Sequence, residues 1–182
     1  MKNCKVCCTP FKPSKPMQSV CSAKCAMSFA VSVRGKALKV AQVKDKRETK
    51  QRLDKLKSKA QWAKEAQTEF NRFIRLRDSD RPCVSCGRHH TGQYHAGHFL
   101  SVGARPELRF EELNVHKQCA PCNTHLSGNA VLYRKGLIAK IGIELVEWLE
   151  GPHTPRKYWD DALIALKREY AAKARVLEAS RE

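Results

Sequence analysis

No run of apolar residues in this chain reaches the length of about 18 needed to cross a bilayer. The amino-terminal MKNCKVCCTPFKPSK has no apolar core of the kind a signal peptide carries. There is no lipidation signal and no basic amphipathic helix beside an exposed apolar face, which argues against a membrane surface as partner. Acidic residues are scarce: 18 Asp and Glu stand against 35 Lys and Arg, a formal net charge of +17. Such an excess fits a polyanion, since each phosphate neutralised releases condensed counterions and adds affinity whatever the base sequence. Glycine and proline are missing from residues 36 to 78, so nothing there interrupts a helix. No internal repeat is present.

These absences lead to the expectation of a soluble, unexported, cytoplasmic protein without a membrane partner. A length of 182 residues suits one domain or two small ones, with apolar content adequate for a modest core. In a reducing compartment the nine cysteines, several in Cys-x-x-Cys pairs, point to metal rather than to disulfides.

The chain divides into four segments. Residues 1–27 hold five cysteines and three prolines and little from which to build a core; they read as a zinc knuckle. Residues 28–78 read as a long basic helical arm, rich in Lys, Arg, Glu, Gln and Ala. Residues 79–129 concentrate Cys, His, Gly and Asn. Residues 130–182 return to helical periodicity, with one helix marked by Leu132, Leu137, Ile138, Ile141, Leu145, Trp148 and Leu149 and interrupted at Gly142. Tyr158, Leu163, Leu166, Tyr170 and Leu177 mark another, and the Trp and Tyr residues are read as core. In the arm, Leu53, Leu56, Ala60, Ala63, Phe70 and Ile74 form a stripe at helical spacing that fits a face packed on the neighbouring domain or, over about three heptads, a coiled-coil seam. The basic residues before it, among them Arg34, Lys36 and Lys39, suit either a solvated face or an arm laid along phosphates.

Cys83-x2-Cys86 and Cys119-x2-Cys122 supply four thiolates in two close pairs, enough to close a structural zinc site with Zn–S distances near ~2.3 Å. With every coordination position taken, such an ion supports the fold and does no chemistry. Cys4-x2-Cys7 and Cys21-x3-Cys25 make a second zinc quartet, with Cys8 left over and able to replace Cys7.

Between the halves of the Cys83 quartet lie Tyr94-His95-Ala96-Gly97-His98, then Asn114-Val115-His116, and Asn123 directly follows Cys122. Hydrolysing a phosphodiester requires a deprotonated water, neutralised charge on the phosphorane and a stabilised leaving oxygen. One histidine and one divalent cation can supply all of these. The order His98, Asn114, Cys119-x-x-Cys122-Asn123 resembles the HNH motif in its zinc-stapled form, a ββα-metal finger. More narrowly, AGHFLSVGARPELRFEELNVHKQCAPCNTHLSGN is similar to the NinG family of lambdoid phages, also called Rap recombination proteins. The amino-terminal Cys pairs, the basic helix and YRKGLIAKIG extend that similarity over nearly the whole chain.

The resemblance implies a fold and a set of roles. The fold is α+β and mainly helical: a ββα finger, a further zinc knuckle, a long basic helix and carboxy-terminal helices. His98 is the general base, Asn114 holds the loop and orients that histidine, and Asn123 binds a catalytic Mg²⁺ or Mn²⁺. Where most HNH sites carry an acidic or histidine ligand beside the base, this chain has Gly97. His95 is the candidate for the second ligand, though an exposed turn histidine explains it equally, and His125 is the alternative. His116, His89 and His90 read as solvent-facing, and Arg105, Arg109 and Lys117 as phosphate contacts. The implied activity is structure-specific cleavage of branched recombination intermediates, Holliday junctions and D-loops, in the cytoplasm of the bacterial host. Two copies placed symmetrically would cut opposing strands, with the Leu53–Ile74 stripe as the seam of a homodimer. A general HNH endonuclease on linear duplex and a non-catalytic zinc-finger DNA-binding protein are the rival readings.

Overall fold

Two serines set the helical frame. Ser22 and Ser58 both lie in extended backbone and accept, through their side chains, the N–H three residues on (from Cys25 and Gln61). Each therefore satisfies one of the donors that a helix start leaves orphaned. In the computed structural model, which describes residues 1–181, they begin α1 (Ala23–Lys55) and α2 (Lys59–Arg77). The arm expected as one helical element over residues 28–78 is thus two helices. The Gln61 side chain also reaches back to the Ser58 N–H, completing a capping box that restarts the helix after Leu56. The chain separates there into two compact units, Met1–Lys57 and the residues from Ser58 onward.

The first unit opens with β1 (Lys2–Asn3) paired antiparallel to β2 (Pro10–Phe11), Lys2 opposite Phe11. α1 follows, 33 residues long and with no buried residue. Lys, Arg, Glu and Gln on every side of it leave no apolar face to bury.

The second unit is built on α2, β3 (Tyr94–His98), β4 (Val115–Cys119), α3 (Ala130–Ile141), α4 (Ile143–Glu150) and α5 (Asp160–Ala179). Trp62, Ala66, Phe70, Phe73 and Ile74 bury one face of α2 against Leu163, Tyr170 and Ala174 of α5, with Phe110, Val115 and Tyr158 closing the cluster. Phe70 meets Tyr170 edge-on at 4.7 Å and Phe110 at 5.7 Å, the arrangement ring quadrupoles favour. The stripe drawn from Leu53 to Ile74 is therefore not one surface. Phe70 and Ile74 are core within the chain, whereas Leu53 and Leu56 are 58% and 81% exposed in the other unit. The packing face instead runs through Trp62 and Ala66.

A second cluster joins Leu108 to Tyr133 and Leu137 of α3 and to Val146 and Leu149 of α4. Gly142, at φ +89°, turns the chain between α3 and α4, so the single interrupted helix expected there is two. Tyr133, Tyr158 and Tyr170 are core as expected, but Trp148 and Trp159 are 47% and 68% exposed. The molecule is mainly helical α+β with two small antiparallel sheets. Among the described residues no helix is long and apolar enough to cross a membrane.

Candidate metal centres and active site

Cys4, Cys7, Cys21 and Cys25 gather in the first unit, and Cys83, Cys86, Cys119 and Cys122 in the second; within each quartet all four sulfurs lie within 4.8 Å of one another. Tetrahedral zinc with bonds of ~2.3 Å sets its sulfurs about 3.8 Å apart. The separations Cys7–Cys21 at 3.5 Å, Cys21–Cys25 at 3.7 Å and Cys86–Cys119 at 4.0 Å bracket that edge. Backbone N–H groups already point at the sulfurs, Cys21 N to Cys4 Sγ at 3.4 Å and Cys119 N to Cys83 Sγ at 3.3 Å. The backbone around Cys7 stabilises the Cys4 thiolate and draws its pKa down to about 6. Both quartets can hold a metal ion such as zinc. Cys8, exposed and at φ +60°, stands outside the first, which settles the choice between it and Cys7.

The second quartet fastens three pieces of chain. Cys83 and Cys86 lie before β3, Cys119 ends β4, and Cys122 sits in the helical turn Pro121–His125 that follows. β3 and β4 pair antiparallel with His95 opposite Gln118, Gly97 opposite His116 and His98 opposite Val115. The stapled turn lays Asn123 back over β3, its Nδ2 donating to His95 Nδ1 at 2.8 Å. Gly97 makes this approach possible. A Cβ there would stand 2.2 Å from Gln118 Oε1 and 3.1 Å from Asn123 Oδ1, so a larger residue at this position would have to displace Gln118.

Asn123 stands between two grooves. One is lined by Asn71 and Arg75 of α2 with Gln93, Tyr94, His95 and Ala96. The other contains His98, Ser101, Ser127 and Gly128. His98 Nε2 lies 3.0 Å from the Arg109 carbonyl oxygen. A carbonyl only accepts, so Nε2 carries the proton and Nδ1 keeps the lone pair. Burial lowers the His98 pKa, keeping the ring neutral and basic near neutral pH.

Asn114 is fully buried, accepts at Oδ1 from Leu100 N (2.9 Å) and donates through Nδ2 to the carbonyls of Leu100 (3.0 Å) and Leu108 (3.2 Å). It clamps both ends of the loop between β3 and β4, and Arg109, whose carbonyl holds His98, is the next residue after Leu108. Its grip on His98 thus passes through the loop backbone.

The other sequence candidates fall elsewhere. His125 is exposed and lines neither groove. His116, expected to face solvent, is 2% exposed because β4 runs beneath α3. His90 is half-buried, 3.2 Å from Cys86 Sγ, while His89 is exposed. Lys117 turns inward, its ammonium donating to the Ser79 carbonyl at 2.5 Å and lying over the Tyr94 ring. Arg105 holds Glu107 and the Gly151 carbonyl, and Arg109 donates to Gln67 Oε1 at 2.9 Å. Arg34, Lys36 and Lys39 are exposed on α1. Sequence reasoning missed Asn71, Arg75 and Gln118. The Gln67–Asn71–Arg75 spacing of four, polar on a helix whose opposite face is apolar, was the signal for the first pair.

A mainly helical α+β chain with two sites fit for metal, one of them stapling a hairpin to a helical turn, defines the class. The model of the Bacteriophage Lambda NinG protein family matches residues 1–181, and the chain belongs to that family. It is 39% identical over 193 aligned positions to protein ninG of Escherichia phage 933W, covering 99% of this chain and 95% of that one. It is 46% identical over 126 positions to protein ninG of Salmonella phage P22, covering 69% of this chain and 62% of the relative. The ninG protein of Escherichia phage lambda is likewise 46% identical over 126 positions, with the same coverage of 69% and 62%. No solved structure matches.

Proposed function

We propose that this chain is a metal-dependent DNA endonuclease of the HNH type that cleaves branched recombination intermediates such as Holliday junctions and D-loops during phage recombination. In this reading β3, β4 and the Pro121–His125 turn act as a ββα-metal finger. The observation that carries it is His98, a half-buried histidine whose Nε2 is held by a backbone carbonyl and which lines a groove together with Asn123. A general base needs this fixed tautomer and lowered pKa.

His98 takes the proton from the attacking water. Asn114 keeps the base still through the loop. His95 and Asn123 are the residues that would hold the ion, the first through Nδ1 and the second through Oδ1, and their side chains already lie in hydrogen-bond contact. Bound there, Mg²⁺ or Mn²⁺ supplies Lewis-acid stabilisation of the phosphate and of the leaving oxygen. Arg75, in the same groove, is placed to neutralise a phosphate oxygen. The exposed cations of α1, with Arg34, Lys36 and Lys39 among them, add backbone affinity, which suits a nuclease that reads shape rather than bases.

The test is cleavage of an end-labelled four-way junction beside its linear arms, by wild type and His98→Ala, with Mg²⁺, Mn²⁺ or EDTA. The reading requires metal-dependent cutting of the junction that His98→Ala abolishes while still binding. Equal cutting of linear duplex would make it a general HNH endonuclease. Binding without cutting under any condition would leave a zinc-stapled DNA-binding protein.

A further inference from the structure

Gln118 is fully buried one residue before the end of β4, opposite His95. Its Nε2 is tied twice, to Ser85 Oγ at 2.7 Å and to the Gly128 carbonyl at 2.6 Å. These bonds fix the orientation of the carboxamide, because the carbonyl of Gly128 accepts only from an N–H. The oxygen Oε1 is then left over. Among the described residues it is the sole buried side-chain polar atom without a hydrogen-bond partner. Buried polar atoms are nearly always satisfied, so an orphan at a functional site asks for a donor.

The donor at hand is Asn123. Gln118 Oε1 and Asn123 Oδ1 flank the same point above Gly97, at 2.2 and 3.1 Å from it, with no Cβ between them. As it stands, Asn123 shows Gln118 an oxygen and spends its NH2 on His95 Nδ1, so acceptor faces acceptor. A half-turn of the Asn123 carboxamide exchanges its O and N ends. Nδ2 then takes the place of Oδ1, on the side of Gln118 Oε1, and Oδ1 turns to the side of His95 Nδ1. Two lone pairs converge on the groove instead of a donor and an acceptor that cancel.

We propose that Gln118 is the positioning residue that holds Asn123 in the turned, metal-competent orientation, its orphaned Oε1 accepting from Asn123 Nδ2. This rests on the reading of His95 and Asn123 as holders of a divalent cation. The arrangement is a two-position latch: bonded to His95 the carboxamide blocks its own oxygen, and bonded to Gln118 it presents it. Gly97 is the hinge space that lets the two carboxamides meet.

The experiment is a double-mutant cycle on the full zinc-loaded chain, with Mn²⁺ affinity as readout and zinc content and circular dichroism as checks of folding. Gln118→Met should weaken Mn²⁺ binding about tenfold, in the range expected for residues that orient a ligand. In an Asn123→Asp background the same change should have no effect, because a carboxylate offers an oxygen in either orientation. Equal weakening in both backgrounds would reduce Gln118 to a packing role and overturn the proposal, as would no weakening beside Asn123. Gln118→Glu, read at a pH where the buried carboxyl is protonated so that its O–H replaces Nε2 toward the Gly128 carbonyl, keeps an acceptor oxygen toward Asn123 and should retain Mn²⁺ binding; if Gln118→Met does not fold, loss of binding in folded, protonated Gln118→Glu overturns the proposal in its place. A wild type that binds no Mn²⁺ and cuts no DNA would overturn the nuclease reading together with this one. A wild type that binds and cuts, with Gln118→Met unchanged, would overturn this one alone.

Discussion

Lys140 Nζ of α3 lies 2.9 Å from Asp78 Oδ2, at the end of α2. The same carboxylate receives Arg77 at 2.9 Å and the Lys117 backbone N–H at 3.1 Å. One buried anion thus ties α2, β4 and α3 together directly behind the hairpin that carries His95 and His98. Asp78→Asn keeps the shape and removes the charge, leaving Lys140 and Arg77 facing each other without an anion. The expected loss is about 3 kcal/mol, the low end for breaking a buried pair because both cations keep some solvent. Urea denaturation followed by tryptophan fluorescence reads it through Trp62 of the same core. A change under half that size would mean the network is decorative.

Stability should also fall as pH drops from 8 to 5, through His116. This imidazole donates at Nε2 to the Leu113 carbonyl and accepts at Nδ1 from Arg77 and Lys140, so it is held neutral. Burial lowers its pKa; the Asp78 carboxylate, 3.5 Å from Nδ1, opposes this, and the Lys140 and Arg77 cations add to the burial, so the net shift is downward. The unfolded chain therefore takes up this proton first, near the ordinary histidine value of about 6.5. Stability is complete above that value and declines below it. At Asp78 burial opposes ionisation, but the hydrogen bonds and charges of Arg77 and Lys140, with the neutral His116 beside them, outweigh it and hold the carboxyl well below its usual range. Its contribution, present above about pH 4, goes in a second and more acidic step. His116→Gln should flatten the slope between pH 7 and 5 relative to wild type; parallel profiles would exclude His116 as the titrating group.

The chain should bind two zinc ions, one per quartet, and their removal should have unequal effects. Cys119→Ser should halve the zinc and melt the β3–β4 hairpin, since this sulfur joins β4 to the knuckle and binding at such sites is folding free energy, of order 10 kcal/mol. Cys4→Ser should also halve the zinc yet leave the second unit's melting unchanged. Cys8→Ser should leave both ions in place. Zinc release titrated with a chromophoric chelator, alongside thermal melts, separates these outcomes; four-sulfur binding that survives Cys4→Ser would bring Cys8 back as a ligand.

Much of this site could be read from spacing alone. Cys-x-x-Cys pairs, and Asn123 placed one residue after Cys122, encode geometry locally, because residues so close in sequence cannot lie far apart. What could not be read depends on partners distant in the chain. Lys117 and His116 look like surface residues until β4 is placed under α3, where the carbonyl of Ser79 and the Asp78 network claim them. Leu53 and Phe70 share a periodicity but not a fate, since the break after Leu56 puts them in different units. Gln118 carried no signal of its own; its importance comes from an oxygen left unpaired only once Gly97 and Asn123 are beside it.

Gly97→Ala tests that crowding directly. The added methyl group must displace Gln118 Oε1, whose side chain is anchored at Ser85 and Gly128, so overpacking should cost about 1–3 kcal/mol. Because the strain falls on Gln118 and Asn123, Mn²⁺ affinity and cutting should drop while zinc content stays at wild type. Wild-type cutting by a folded Gly97→Ala protein would show that Asn123 need not lie against β3.

The α1 helix makes the last prediction, about binding rather than chemistry. It carries Arg34, Lys36 and Lys39 exposed to solvent, with no buried residue along its length. If these cations lie along phosphates, each releases counterions, and log K for duplex DNA against log salt should lose about 0.9 of slope per contact removed. Replacing all three with Ala should then lower the slope by roughly 2 to 3 and weaken binding to every sequence alike. Single-turnover cutting at saturating protein should be unchanged, because none of the three is in the unit that carries His98. Fluorescence anisotropy from low to moderate salt measures the slope. An unchanged slope would assign the phosphate contacts to the second unit and leave α1 as a solvated spacer.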